Sequence, residues 1–381
     1  MNSFNEPRPR PEATNRLTDN IEAAEMVVPC RELSETLPFF LNRLGFRLDQ
    51  IFPADDPAVA VVSGHGLNLR LVRGAEGPPG TLRLLCRDLA ALDGEAAPLV
   101  APNGTRIEFA DVHPPLMMPK TRHSFVVRKL TDSDPWIIGR AGMHYRDLVP
   151  DRLGGSMIAS HIRVPDAGPV PDNVHFHIVG FQMIYCYRGW VRLVYEDQGE
   201  PFILAAGDCV LQPPQIRHRV LESSGGLEVI EIGCPAEHVT TLDHAMTLPT
   251  GRIDPDKDFH GQKFCRHQLA KATWRPWRIE GFEQRDTGIG AATGGVASVK
   301  VARPAGALET PWNSLDSDIY FGFVLEGGMT LSGEGHASRD LAIGDAFVIP
   351  PDLKTRLDNC TGDLEILEVS LPAEFATSVW T

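Results

Sequence analysis

The sequence predicts a mainly β chain in which a duplicated unit of short strands follows a small α+β unit. Three observations carry this expectation. Two long stretches repeat each other in the same order. Both break into short apolar segments punctuated by Gly, Pro, Asn and Asp. The first hundred or so residues follow a different pattern, with one helical stretch among strands.

The duplication is read from paired segments. LEVIEIGCPAE (Leu227 to Glu237) returns as LEILEVSLPAE (Leu364 to Glu374), 137 residues later. GDCVLQPP (Gly207 to Pro214) returns as GDAFVIPP (Gly344 to Pro351) at the same offset. YRGWVRL (Tyr187 to Leu193) matches LEGGMTL (Leu325 to Leu331) at 138, and Arg146-Asp147 and Pro165 match Arg285-Asp286 and Pro304 at 139. An offset that drifts by one residue at loops is the behaviour of duplicated domains.

Each copy then resolves into β-type pieces. Copy one contains SMIASHIRV, FQMIYCYRG, WVRLVYE, DCVLQP, HRVLE and LEVIEIG. Copy two contains ASVKVAR, IYFGFVLEG, MTLSG, DAFVIP and LEILEVS. Many short strands separated by turn residues predict a sandwich or a small barrel for each copy. The boundaries read as 123–240 and 263–376, with a loop-like linker from about Thr241 to Gln262. Residues 1–20 read as a flexible leader and 21–111 as the α+β unit. In that unit EMVVP is a strand, and ELSETLPFFLNRLGF has apolar residues at helical spacing (Leu33, Leu37, Phe40, Leu41, Leu44) with a stop at Gly45. Strands RLDQIF, AVAVVS and LNLRLV complete a βαβββ order, and a shortened β-α-β follows.

Composition narrows the function. Lys+Arg is 36 and Asp+Glu 50, a formal net charge of −14, which argues against nucleic acid or an anionic membrane as partner. No stretch approaches the length of an apolar membrane span. Seven scattered cysteines, odd in number and without a CxxC pair, point to buried thiols in a reduced compartment. With no secretion-like N-terminus, the expected location is the cytoplasm.

The chemistry gathers in copy one. His175 and His177 stand two apart on a strand, so both imidazoles face one side. Gln182 opens the next strand and offers an amide oxygen, and His218 follows Pro213 at the foot of a later strand. Three imidazoles and one oxygen suit a first-row divalent metal with open positions. A metal-free barrel that binds a sugar or an acid is the alternative. Glu222, four residues past His218, faces the same side if the strand is regular, where it serves as an acid/base or holds a ligand from behind; a structural salt bridge is the rival role.

These residues resemble the cupin superfamily, whose motifs are G(X)5HXH(X)3–4E(X)6G and G(X)5PXG(X)2H(X)3N. Here the first is H175-x-H177-x4-Q182-x6-G189 and the second G207-x5-P213-x4-H218. The resemblance implies a bicupin over 123–376, with two double-stranded β-helix barrels. It assigns one divalent metal to His175, His177, Gln182 and His218, with Fe(II) favoured and Mn, Ni, Cu or Zn as alternatives. Three departures stand out: Gln182 replaces the usual Glu, Gln215 the second-motif Gly, and Glu222 the final Asn. With neutral ligands only, the centre keeps its +2 charge and favours an anionic, chelating small molecule. In copy two the corresponding residues are Asn313, Leu315, Tyr320 and Thr355, so that barrel is expected to keep the frame without the metal.

The βαβββ order, the RLGF turn and APNGTRIEF resemble the vicinal-oxygen-chelate superfamily of glyoxalase and bleomycin-resistance proteins, over about 21–111. Its metal-ligand positions map to Glu25, Arg70 (or Asn68), Thr81 and Glu108, which do not make a complete set. The resemblance implies a role in pairing, hence a homo-oligomer, commonly a dimer. Together the readings predict a metal-dependent dioxygenase for a small aromatic or keto-acid-like chelator. A redox-neutral isomerase or lyase, and a non-catalytic binding protein, are the rivals.

Overall fold

The computed structural model describes residues 23–53, 56–89, 97–132, 136–139 and 142–380; the expected leader lies outside them. The described residues form two compact units, one within 23–115 and one within 116–380. Mainly β architecture holds throughout.

In the first unit Met26–Cys30 pairs in parallel with Leu67–Arg73, and the sheet continues through Val59–Gly64 to Arg47–Phe52. A parallel pair needs a crossover, and the expected helix supplies it. It runs as Leu33–Pro38 and then widens over Phe39–Arg43, where the amide of Leu44 donates to the carbonyl of Phe39. Pro38 lies inside it and has no amide hydrogen to donate, so the regular ladder is interrupted there. Leu33, Phe40 and Leu44 are buried against Val28, Leu69 and Leu71, as the apolar spacing requires. A second sheet sets Thr81–Cys86 parallel to Arg106–Asp111, with Leu99–Val100 antiparallel on the other side. The helix expected between them falls largely on residues outside those described. Arg70 donates to the Glu25 carboxylate at 2.6 Å, so the two mapped positions form an ion pair.

The second unit contains both copies. All the segments read as strands are strands, among them Ile158–Val164, Phe181–Arg188, Leu227–Cys234, Ser298–Pro304, Ile319–Glu326 and Glu365–Leu371. Each copy builds two facing sheets. In copy one the first sheet runs Cys265–His267, Cys209–Leu211, Phe181–Arg188, Leu227–Cys234, Ile158–Val164, His144–Asp147, Ile137–Ile138. The second runs Phe202–Ala205, Trp190–Tyr195, His218–Ser223, His175–Ile178, Val239–Leu242. Copy two repeats both orders, as a duplicated small barrel would.

Period-two alternation sorts the side chains into three cores. Phe181, Met183, Tyr185 and Tyr187 point away from barrel one and pack against Phe321, Phe323, Leu325 and Val369 of barrel two. The residues between them face inward. Ile184, Val191, Leu193 and Val229 line the interior of barrel one, and Tyr320, Val324, Phe347 and Ile366 fill that of barrel two. Gly322 stands in register where Ile184 stands in barrel one, and a Cβ there would lie 2.2 Å from the Phe347 ring. The smaller residue lets that ring occupy the second interior.

The leading strand of each copy joins the other barrel. The strand Val126–Arg128, at the start of the 123–240 stretch, pairs with Ala346–Val348 of barrel two. Cys265–His267, at the start of the 263–376 stretch, pairs with Cys209–Leu211 of barrel one. The barrels thus exchange their leading strands. The stretch from Thr241 to Gln262 is also no free linker. Phe259 is buried in the core of barrel one, and Lys257 pairs with Glu196 and Asp197. Its polar, turn-rich composition concealed one anchoring ring.

Candidate metal centre

His175 and His218 sit directly opposite each other on antiparallel strands, and His177 is two residues along from His175. Period two therefore turns all three rings to the interior. The three are buried, and one nitrogen of each lies within 4.8 Å of the others. Ring centroids are 4.3 Å apart for His175 and His218, 5.1 Å for His175 and His177, and 5.3 Å for His177 and His218.

For two of the three rings the outer nitrogen fixes the tautomer. His175 Nδ1–H donates to the Asn173 carbonyl at 2.7 Å, and His218 Nδ1–H to the Ile216 carbonyl at 3.0 Å. A carbonyl only accepts, so each neutral ring keeps its lone pair on Nε2. His177 Nδ1 lies 2.9 Å from the Thr240 hydroxyl, on the strand paired with it. The Asp172 carboxylate stands 3.6 Å from His175 Nδ1 and accepts from the Val220 amide, an arrangement that makes the imidazole a stronger donor. Tyr195 stacks on His218, and its hydroxyl accepts from Gln212.

Gln182 is buried on the same inward face as Ile184. Its Nε2 donates to Glu231 at 2.6 Å, while its Oε1 is buried with no hydrogen-bond partner. An unsatisfied buried oxygen is costly in a neutral protein and is what a cation ligand requires before the cation binds. A set of three imidazole nitrogens with one amide oxygen fits a first-row divalent ion.

Glu222 is not part of this group. The register between Trp190–Tyr195 and His218–Ser223 slips by one: Leu193 faces Val220, whereas Arg192 faces Glu222. Leu221 is the extra residue, and such a bulge reverses the alternation beyond it. Glu222 consequently points outward and pairs with Arg192 at 2.8 Å, both side chains substantially exposed. Of the two roles weighed for Glu222, the salt bridge is the one observed; the assumption of a regular strand fails.

Glu231 is the carboxylate that reaches the interior instead, lining a cavity of about 80 Å³ with the three histidines and apolar residues including Ile162, Val191, Leu193 and Val229. One signal for it was present: Glu231 recurs as Glu368 in the repeat, two residues along from Val229 on an otherwise apolar face. His238, whose ring lies edge-on to His177 at 5.4 Å, was also missed, because it follows the strand in a turn with no periodicity to mark it.

In barrel two Asn313 and Thr355 occupy the opposed positions of His175 and His218. Tyr320 stands in register where Gln182 does, and its hydroxyl donates to Glu368 at 2.6 Å. Arg278 donates to Asn313 and to Tyr320. Only about 10 Å³ of space is left among them.

No family model matches the sequence, and no curated protein does. Solved structures do match. Salicylate 1,2-dioxygenase from Pseudaminobacter salicylatoxidans aligns with a TM-score of 0.52 at 15% identity, covering 69% of this chain and 90% of that one. Oxalate decarboxylase from Bacillus subtilis aligns with a TM-score of 0.50 at 13% identity, covering 71% of this chain and 86% of that one. The fold is that of a bicupin. At such identities the likeness establishes architecture, and the chemistry of this chain has to be argued from its own residues. No helix among the described residues is long and apolar enough to cross a membrane.

Proposed function

We propose that this bicupin is a metal-dependent enzyme whose centre is His175, His177, His218 and Gln182. One observation carries the reading: three buried imidazoles converge on each other, two with Nδ1 committed to backbone carbonyls, and Gln182 on an inward-facing position of the same barrel has an amide oxygen that lacks a partner. A bound divalent ion would supply Lewis acidity and, if redox-active, electrons for dioxygen. The chain's own part is to hold a small chelating molecule against that ion in an apolar chamber. With no anionic ligand in the set, an anionic chelator balances the charge best. Glu231 is the lining carboxylate placed to take or return a proton.

The finer reading is an Fe(II) dioxygenase acting on an aromatic or keto-acid-like chelator, one protein of like fold being a salicylate dioxygenase. A redox-neutral lyase is the second reading, favoured by the likeness to oxalate decarboxylase. We further propose a glyoxalase-like fold for residues 21–111, supported by the parallel first pair and the order of its four-stranded sheet, and that this unit pairs copies of the chain in a cytoplasmic homodimer. Elemental analysis of purified protein, beside a His175→Ala/His177→Ala variant, tests the centre. The expected result is about one metal per chain, lost in the variant; equal metal in both would refute it. Oxygen uptake by Fe(II)-loaded protein over a panel of aromatic and keto acids separates the two reactions.

A further inference from the structure

We propose that Glu231 is the positioning residue that turns Gln182 into a metal ligand. This rests on the reading of Gln182 as the oxygen donor and adds a second residue to it. An amide has two similar ends, and only one can bind a cation. The choice is made from behind. Gln182 lies opposite Gly233, and Glu231 lies opposite Ile184, so Gln182 and Glu231 are diagonal neighbours on the inward face of adjacent strands. A carboxylate oxygen accepts, so the amide nitrogen must face Glu231, and it does so at 2.6 Å. Oε1 is thereby directed away from Glu231, and it is the end left without a partner.

The second barrel shows that the acceptor belongs to the frame. Glu368 takes a hydrogen from Tyr320 across the same register, Tyr320 lying opposite Ser370 and Gly322 opposite Glu368. There the donor is a phenol, and the Asn313 and Thr355 positions hold no imidazoles. In the first barrel the same glutamate meets an amide, and the amide's other end becomes available. The departure from the usual glutamate ligand is then a relocation. The carboxylate stands one strand away and acts through the amide instead of on the ion. A glutamate at position 182 would put two carboxylates face to face.

Copper(II) titrated onto the full-length apo protein tests this, read by binding affinity and by electron paramagnetic resonance. Wild type is compared with Gln182→Ala, Glu231→Leu, the double variant and Glu231→Gln. Removing an outer-shell partner typically weakens metal binding by about 10–100-fold. We expect Glu231→Leu to weaken copper by about tenfold and to shift its spectrum to that of Gln182→Ala, with the double variant no worse than either. Glu231→Gln keeps an accepting oxygen and should retain the wild-type spectrum. Glu231→Ala, judged by the same readouts, serves if the leucine variant does not fold. Wild-type copper behaviour in the Glu231 variants, beside a changed Gln182→Ala, overturns the positioning role and leaves Gln182 a ligand. Wild-type behaviour in Gln182→Ala overturns both.

Discussion

Arg285 of the second barrel donates from Nη1 to the carbonyl of Gly207 in the first, at 3.0 Å. Its counterpart Arg146 donates from Nη2 to the carbonyl of Gly344, so each barrel's arginine holds the other barrel's glycine turn. The neighbouring aspartates complete the clasp. Asp208 accepts from the Leu269 amide at 2.8 Å and Asp345 from the Leu130 amide at 2.6 Å, each leucine lying just beyond an exchanged strand.

The glycines follow from this clasp. Gly207 has φ +87° and Gly344 φ +88°, a region that side chains avoid, and leucine carbons lie 2.5 Å and 2.9 Å from where their Cβ atoms would be. We expect Gly207→Ala to cost about 1–2 kcal/mol in a denaturant titration, most of it from the backbone. Adding Leu269→Ala removes the clash but not the strain, so it should recover less than half.

Buried histidine sets a pH limit on stability. His161 donates from Nε2 to Glu228 at 2.6 Å, and Arg146 approaches its Nδ1 at 3.4 Å, an arrangement that needs a neutral ring. Burial holds its pKa below the usual 6.5 against the opposing pull of Glu228. His267 is lowered as well, by burial and then by the Arg285 charge. The unfolded chain takes up these protons first, so stability is full above about pH 6.5 and falls as the pH drops toward the folded values. His161→Asn should flatten that slope in denaturation midpoints measured from about pH 7 to 5, at some constant loss across the range.

Glu222 provides a negative control. Its pair with Arg192 is exposed and lies outside the chamber. Glu222→Gln should leave metal content unchanged and shift stability by no more than about 1 kcal/mol in a thermal melt. A large loss of metal would return it to the centre.

Metal should also register as stability. A ligand present at about 100 times its dissociation constant adds about 2.7 kcal/mol. Saturating divalent metal is expected to raise the melting temperature of wild type, and to do nothing for His218→Ala.

Much of this was legible in the sequence, for reasons that differ by element. The histidine cluster was readable because period two and the opposed pairing of His175 with His218 leave their side chains little freedom. The duplication was readable because the same turns recur around the same strands. Glu222 was misplaced because a bulge at Leu221 has no marker in HRVLES, which any regular strand would also accommodate. Glu231 was passed over because its partner is an amide 49 residues away in sequence, a relation that only the register reveals. The exchange of strands was not legible because Val126–Arg128 and Cys265–His267 are three residues long, and chain order gives no hint of which edge they join.

That exchange bears on why the second barrel persists without imidazoles at the opposed positions. A chain cut at residue 240 would lose Cys265–His267 and leave Cys209–Leu211 as a bare edge, with hydrogen-bonding groups open to any passing strand. The second half is therefore not a disposable relic: by lending its own leading segment it finishes one sheet of the first barrel, and truncation after residue 240 should yield an insoluble product.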